Sequence, residues 1–290
     1  MASIVTPELE AALGQPIKGP SALGSDPRRL FRLIWTLAVT DFKLKFFGSV
    51  LGYLWQIMQP LMLFGVLYVV FSLVLNFTGT EEYYPVAILL GIVMFGSISE
   101  MTQGSIRSVG AREPLVRKIE FPRFAIPAAQ VLQSMFNFGL NIIPVFVFLI
   151  LAGGSPRWTW LELPVIAALF AALGLGLAML LSALWVRYRD VEPIWTVVLQ
   201  GSFYISPIIF TISLVQEKGG TRAGELMMLN PFAALLQQAR HAIIDPSHQS
   251  AAAAAGGTWK LIFPLAILAA IVALGSWIFT RMAPVIAEEL

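Results

Sequence analysis

Arg107-Ser-Val-Gly-Ala-Arg112-Glu-Pro-Leu-Val-Arg117-Lys118-Ile-Glu-Phe-Pro-Arg123 places five basic residues within seventeen positions. Long apolar stretches with little charge flank it on both sides. Only 12% of all residues are charged, so this concentration is not an ordinary soluble surface. It reads as a loop between two membrane spans, on the side of the bilayer that retains positive charge. It is also the place where an external energy source would take hold.

The composition around it agrees. A hydrophobic content of 57% and a mean hydropathy of +0.77 describe a polytopic membrane protein, because a soluble domain of 290 residues needs a charged coat. There is no cysteine, hence no disulfide frame, thiolate chemistry or cysteine metal site. Two histidines, His241 and His248, are too few for a multi-ligand site, and no nucleic-acid partner is expected. Residues 1–26 are rich in Pro, Gly, Ala and Ser and lack an apolar signal core, which predicts a flexible tail before a single transmembrane domain at 27–290.

A span needs roughly 20 apolar residues. Six segments qualify, at about 52–76, 85–106, 124–152, 160–186, 193–214 and 260–280. Of the nineteen Lys and Arg residues, fourteen fall in the N-terminal region, the 107–123 and 187–192 loops and the C-terminal tail. The five others lie on the opposite side, which predicts a multi-pass protein of the cell membrane with both termini in the cytoplasm.

Three segments do not fit a simple serpentine. At 27–47, Asp26 is placed to cap a helix and Pro27 to occupy its first position. Arg29, Arg32, Thr36, Thr40 and Lys43 then recur at helical spacing opposite Leu30, Leu33, Ile34, Leu37 and Leu44. This predicts an amphipathic helix in the cytoplasmic interface, its basic face toward anionic head groups or a partner. The alternative is a cytoplasmic extension of the first span. In the 107–123 loop, Pro114 and Pro122 bracket room for about two turns of helix. The stretch 229–244 is too polar and short to span and suits a re-entrant or surface-lying helix on the outer side, followed by an Ala251–Gly257 linker.

The chain carries no nucleotide site of its own: without a Gly-Lys dipeptide there is no phosphate-binding loop, and Gly174-Leu-Gly176 lies in an apolar span where packing explains it. Glu100 is the one clear intramembrane acid, set among Ser97, Ser99, Thr102, Gln103 and Ser105. Such a group is costly in lipid. It serves either transport directly or a hydrogen-bonded packing site near the cytoplasmic mouth, and no membrane partner for it is evident. Tyr53, Phe64, Tyr68 and Phe71 form a stripe on the first span, and Gln200, Phe203, Tyr204 and Phe210 a mixed face on the fifth. Aromatic faces beside polar groups would suit a glycan path, since sugar rings present flat C–H faces; helix packing or lipid contact is the alternative. Ala167, Ala171, Gly174, Ala178 and Ser182 line one face of the fourth span, and Gly48 and Gly52 form a G-x-x-x-G, both marks of close packing. The sequon Asn76-Phe-Thr78 has no other feature to support its use.

Several stretches, taken in order, resemble one family. Lys43-Leu-Lys-Phe-Phe-Gly-Ser49-Val-Leu-Gly52-Tyr-Leu-Trp55 with Pro60, the Leu115–Arg123 loop, Arg187-Tyr-Arg-Asp190, Ser206-Pro207 and Leu229-Asn230-Pro231 are similar to type 2 ABC exporter permeases of the polysaccharide and teichoic-acid export branch. Where that family often has a basic-Tyr-basic triplet, this chain has Lys45-Phe46-Phe47, so a tyrosine or arginine contact there does not carry over.

The resemblance implies an all-α membrane protein with six transmembrane helices, an N-terminal interface helix, a short cytoplasmic coupling helix between helices 2 and 3, and re-entrant or surface gate helices between helices 5 and 6. It implies a non-enzymatic half-transporter. Two copies would form the channel and bind two ATPase subunits, which hold ATP and Mg, with no cofactor in this chain. Coupling would fall to Arg112, Glu113, Leu115, Arg117, Lys118, Glu120, Phe121 and Arg123. The outer gate would comprise Asn230, Pro231, Phe232, Gln237 and Arg240. A polyprenyl-diphosphate-linked glycopolymer would favour cations at the cytoplasmic leaflet, for which Arg29, Arg32, Lys43, Arg107, Arg187 and Arg189 are available. An exporter of a small lipid or drug is the alternative. A glycosyl-transferring enzyme would need a water-facing carboxylate cluster, and Asp245 near His241 and His248 is the nearest approach. An ion-coupled carrier would need more intramembrane charge.

Overall fold

The computed structural model describes residues 27–47, 52–70, 83–112 and 122–289, with side chains to residue 282. Among these the fold is all-helical. The helices are α1 (Pro27–Phe46), α2 (Tyr53–Tyr68), α3 (Tyr84–Ile106), α4 (Ala125–Leu151), α5 (Leu163–Arg187), α6 (Val191–Ile205), α7 (Ile212–Gly219), α8 (Thr221–Met227), α9 (Pro231–Ile243), α10 (Ala251–Ala254) and α11 (Ile262–Glu289). Four stretches are long and apolar enough to cross a bilayer: Tyr84–Ile106, Ala125–Leu151, Trp158–Arg187 and Thr258–Met282. The predicted tail, Asp26, Gly48, Phe71 and the sequon lie outside the described residues, as do positions 113–121 of the basic loop.

Helix α3 is the hub. It contacts α2, α4, α5, α6 and α9, and its residues Val86–Met94 are almost entirely buried. A side that faces protein all round needs no polar face, and this helix has almost none until Ser97. The small-residue face of α5 closes two further contacts. Gly174 meets Met101 of α3, and Gly176 packs so tightly on α11 that a Cβ there would lie 2.9 Å from the Val272 backbone. Backbones can approach this closely only where side chains are absent.

The amphipathic pattern at 27–47 forms α1 as a helix of its own. It stops at Phe46, and Gly52 adopts φ 46°, a left-handed value that a helix running straight into the first span would not contain. Leu30, Leu33, Ile34 and Leu37 pack toward Val109, Ala125, Ile126 and Phe279, while Trp35 and Phe42 meet Phe136 of α4 edge-on.

Two expectations change. The apolar run 193–214 is not one continuous helix: α6 ends at Ile205, residues 206–211 are non-helical, and α7 begins anew at Ile212. Pro207 lacks the amide proton a helix would use and disfavours helical geometry at Ser206. The freed carbonyls are satisfied from elsewhere. Tyr84 Oη donates to Ile209 O at 2.5 Å, and the Arg240 guanidinium donates to Ile208 O at 2.8 Å, Ala87 O at 3.3 Å and Phe210 O at 3.5 Å. The Ala251–Gly257 tract is likewise no loose linker. Ser250 caps it by accepting from Ala253 N at 3.2 Å, and Ala251, Ala254 and Ala255 are buried.

Helix α9 matches the short polar segment expected at 229–244, but it is embedded rather than laid on a surface. Asn230 caps it through Phe232 N at 3.0 Å, Pro231 sits in its first turn, and most of its residues are buried against α3, α5 and α11. The segment 157–162 is laced onto its C-terminal end: Thr159 donates to Ala242 O, Trp160 to Ile243 O, and Arg157 pairs with Asp245.

Candidate functional site

A cavity of about 560 Å³ opens between α2, α3, α4 and α6, with the end of α1 at its rim. Its most polar part is built around Glu100. Lys45 Nζ, reaching in from α1, lies 2.6 Å from Glu100 Oε1 and donates to Gln56 Oε1 at 3.0 Å. Asn137 Nδ2 of α4 donates to the same Glu100 oxygen at 2.5 Å. Gln59, Ser99, Gln103 and Asn141 add amides and a hydroxyl, while Pro60, Leu63, Phe95 and Phe203 supply apolar wall. Phe95 and Phe203 meet edge to face with centroids 5.1 Å apart.

The sequence positions this cleft in two ways. On α4, Gln133, Asn137 and Asn141 recur four apart with Ser134 three before Asn137, all buried, and form a polar stripe in an otherwise apolar span. On α2, Gln56 and Gln59 are three apart and share a face. The Asn141 amide oxygen is buried without a hydrogen-bond partner among the described residues. A carboxylate with two donors on one oxygen tolerates partial burial, and the cleft can present both donors and acceptors to a polar ligand.

Glu100 is therefore not alone, contrary to the expectation that it lacks a membrane partner. That partner, Lys45, stands 55 positions earlier on another helix, so its role could not be read from local spacing. Of the eight proposed channel residues, Phe203 lines the cleft. Tyr204 stacks edge-on against Phe203 and is exposed with Gln200; Phe210 is half-buried beside the helix break. Tyr53 packs on Phe42 and Phe46, with Phe46 only 4.4 Å away between centroids, and so holds the α1–α2 corner. Phe64 contacts Tyr68 and Phe148 in α2–α4 packing. Sequence reasoning missed Lys45, Gln56, Gln59, Phe95 and Asn141; the glutamines on a charge-free span were the signal for two of them.

Cations gather at the end of the bundle where α3 terminates. Arg112, in the turn Gly110–Arg112, pairs with Asp41 of α1. Arg107 Nε lies 2.6 Å from Glu192 Oε2, Arg189 stacks 4.2 Å over the Trp185 ring, and Arg187 lies 5.7 Å over Tyr188. Arg29, Arg32 and Lys43 are exposed on α1. Arg123 stands at the turn into α4, where burial lowers its pKa from the usual arginine value. The remaining coupling candidates, Glu113, Leu115, Arg117, Lys118, Glu120 and Phe121, lie outside the described residues.

The gate candidates make packing contacts with the middle and N-terminal half of α3 and with neighbouring segments. Phe232 meets Phe95 at 5.7 Å, Gln237 donates to Gln249 O at 2.6 Å, and Arg240 holds the helix break. Burial alone would raise the Asp245 pKa, but hydrogen bonds from the Ser247 backbone and side chain and the Arg157 guanidinium outweigh it and hold it below the usual carboxylate value. Among the described residues no three His, Asp or Glu side chains could hold a metal ion.

The sequence matches the ABC-2 type transporter family over residues 32–244. It is 27% identical over 208 residues to an O-antigen export system permease protein RfbA of Klebsiella pneumoniae, covering 71% of this chain and 78% of that protein. A Myxococcus xanthus protein of the same name is 26% identical over 205 residues, covering 70% and 77%. The polysialic acid transport protein KpsM of Escherichia coli is 20% identical over 210 residues, covering 72% and 80%.

Proposed function

The chain belongs to the ABC-2 type transporter family, and from that premise we propose that it is the membrane permease of an ATP-driven exporter moving a polysaccharide, carried on a polyprenyl diphosphate, out of the cytoplasm. The observation that carries this reading is the cleft: a polar, part-aromatic cavity of about 560 Å³ between helices that are otherwise largely apolar. The relatives' names, O-antigen export permease and polysialic acid transport protein, favour a glycan as its occupant.

In this reading six helices span the membrane, α2 continuing into the first span and α6 with the 206–211 break forming the fifth. The cation-rich end of α3 faces the cytoplasm, as its excess of arginine and lysine supports. Two copies form the channel, and the 113–121 segment docks on two partner ATPases that supply ATP and Mg chemistry this chain lacks. Arg107, Arg187, Arg189 and the basic face of α1 receive the carrier's diphosphate, and α7 to α9 gate the outer end.

Depletion of the permease in its own cell tests the assignment. Lipid-linked polymer should accumulate inside while surface polymer falls, and wild-type chain should reverse both. Normal surface polymer on depletion would transfer support to a small lipid or drug as cargo.

A further inference from the structure

Resting on the polysaccharide reading above, we propose that this cleft selects an uncharged glycan and discriminates against carboxylated or phosphodiester-linked polymers. Its charge is the first observation. Among the described lining residues Lys45 is the one cation and Glu100 the one anion, and they neutralise each other at 2.6 Å. Among the described residues the wall helices add nothing to that pair. Helices α2 and α4 contain no Lys, Arg, Asp or Glu; the single such residue of α3 is Glu100, and that of α6 is Glu192, bound to Arg107. A second copy of the chain would repeat the same neutral wall.

Hydrogen-bonding capacity is the second observation. The lining groups left over are amides and a hydroxyl, and the Asn141 oxygen has no donor among the described residues. Each sugar hydroxyl donates once and also accepts, so neighbouring hydroxyls of one ring can between them satisfy an amide oxygen, an amide NH₂ and the Glu100 carboxylate. A carboxylate or phosphodiester only accepts. It would face Glu100 and the Asn141 oxygen with no proton to offer and no free cation to offset its desolvation. Phe95 and Phe203 meanwhile favour the flat C–H face of a neutral ring.

The test uses the full-length permease in nanodiscs, with a linear mannose heptamer and a linear sialic acid heptamer as probes, read by thermophoresis at low and high salt. The mannose oligomer should bind roughly tenfold more tightly, with little salt dependence. In Glu100→Gln, which frees Lys45, sialic acid oligomer affinity should rise several-fold and become salt-sensitive. Equal or tighter wild-type binding of the acidic probe would overturn the selectivity and leave the polysaccharide reading standing. If neither probe bound, the polysaccharide reading itself would fall, and the selectivity with it. The wild-type comparison decides even if Glu100→Gln does not insert.

Discussion

Arg240 is 1% exposed, and its guanidinium is the donor to carbonyls from two separate segments. In a bundle that excludes water, each carbonyl left without a donor costs about 1–3 kcal/mol. Arg240→Met should therefore cost about 3–5 kcal/mol, read as loss of the monodisperse peak and of thermal stability in detergent. Arg240→Lys should recover part of it, because one ammonium cannot reproduce the planar fork. Asp245 carries a pH dependence of known sign. Its folded pKa lies below the unfolded one, so its contribution is present above the ordinary carboxylate range and is lost as pH falls through the folded value. Melting temperature should hold from neutral pH to about 5 and then decline, and Asp245→Asn should remove part of that acid limb. Its Arg157 partner is 29% exposed but Asp245 itself is buried and also accepts from Ser247, so the substitution should cost about 1–3 kcal/mol.

At the scale of elements, the α5–α11 contact depends on glycines facing each other. A Cβ at Gly275 would overlap the Gly176 carbonyl, and Gly275→Val should cost about 1–3 kcal/mol in a thermal melt by forcing the helices apart. The basic loop makes a different prediction. Reversing Arg117 and Lys118 to glutamate should abolish export and co-purification of the ATPase while the permease still elutes as folded protein; an intact, coupled complex would show that docking lies elsewhere. Helices α3, α4 and α5 were legible to within a few residues at 85–106, 124–152 and 160–186, because an apolar run of the right length bounded by charge has few other solutions. The break after Ile205 was not, although Pro207 marked it. An apolar run looks alike whether continuous or interrupted, and the donors that make interruption tolerable, Tyr84 and Arg240, are distant in sequence. The cleft was half legible for the same reason. Glu100 declared itself as a lone acid in an apolar span, whereas Lys45 looked like one more interfacial cation.

For the molecule as a whole, charge segregates along the length of α3. Arg107, Arg112, Arg187 and Arg189 lie at its C-terminal end, and Arg157 and Lys260 belong to segments at the other. With no native cysteine, single replacements report orientation directly. Arg32→Cys should react with an impermeant maleimide only after the cells are permeabilised, and Ser155→Cys should react in intact cells. The reverse pattern would invert the topology. Helix α6 has a mechanical consequence within this frame. Its C-terminal end runs into the segment bolted down by Tyr84 and Arg240, whereas its N-terminal end is held by Val191 and Trp195 packed against Trp185 and by the Arg107–Glu192 pair, whose arginine is 69% exposed. Such a surface pair contributes about 1 kcal/mol or less. The helix is thus a lever of about 22 Å with a hydrogen-bonded fulcrum at one end and, at the other, a handle held by side-chain packing and one surface ion pair. A tilt of about 10° would carry Val191 some 4 Å at that rise per residue while Phe203, near the fulcrum, hardly moves. Spin-label distances from residue 191 to α3 should broaden on ATPase turnover, those from residue 203 should not, and the mouth of the cleft could widen while its aromatic wall keeps its grip.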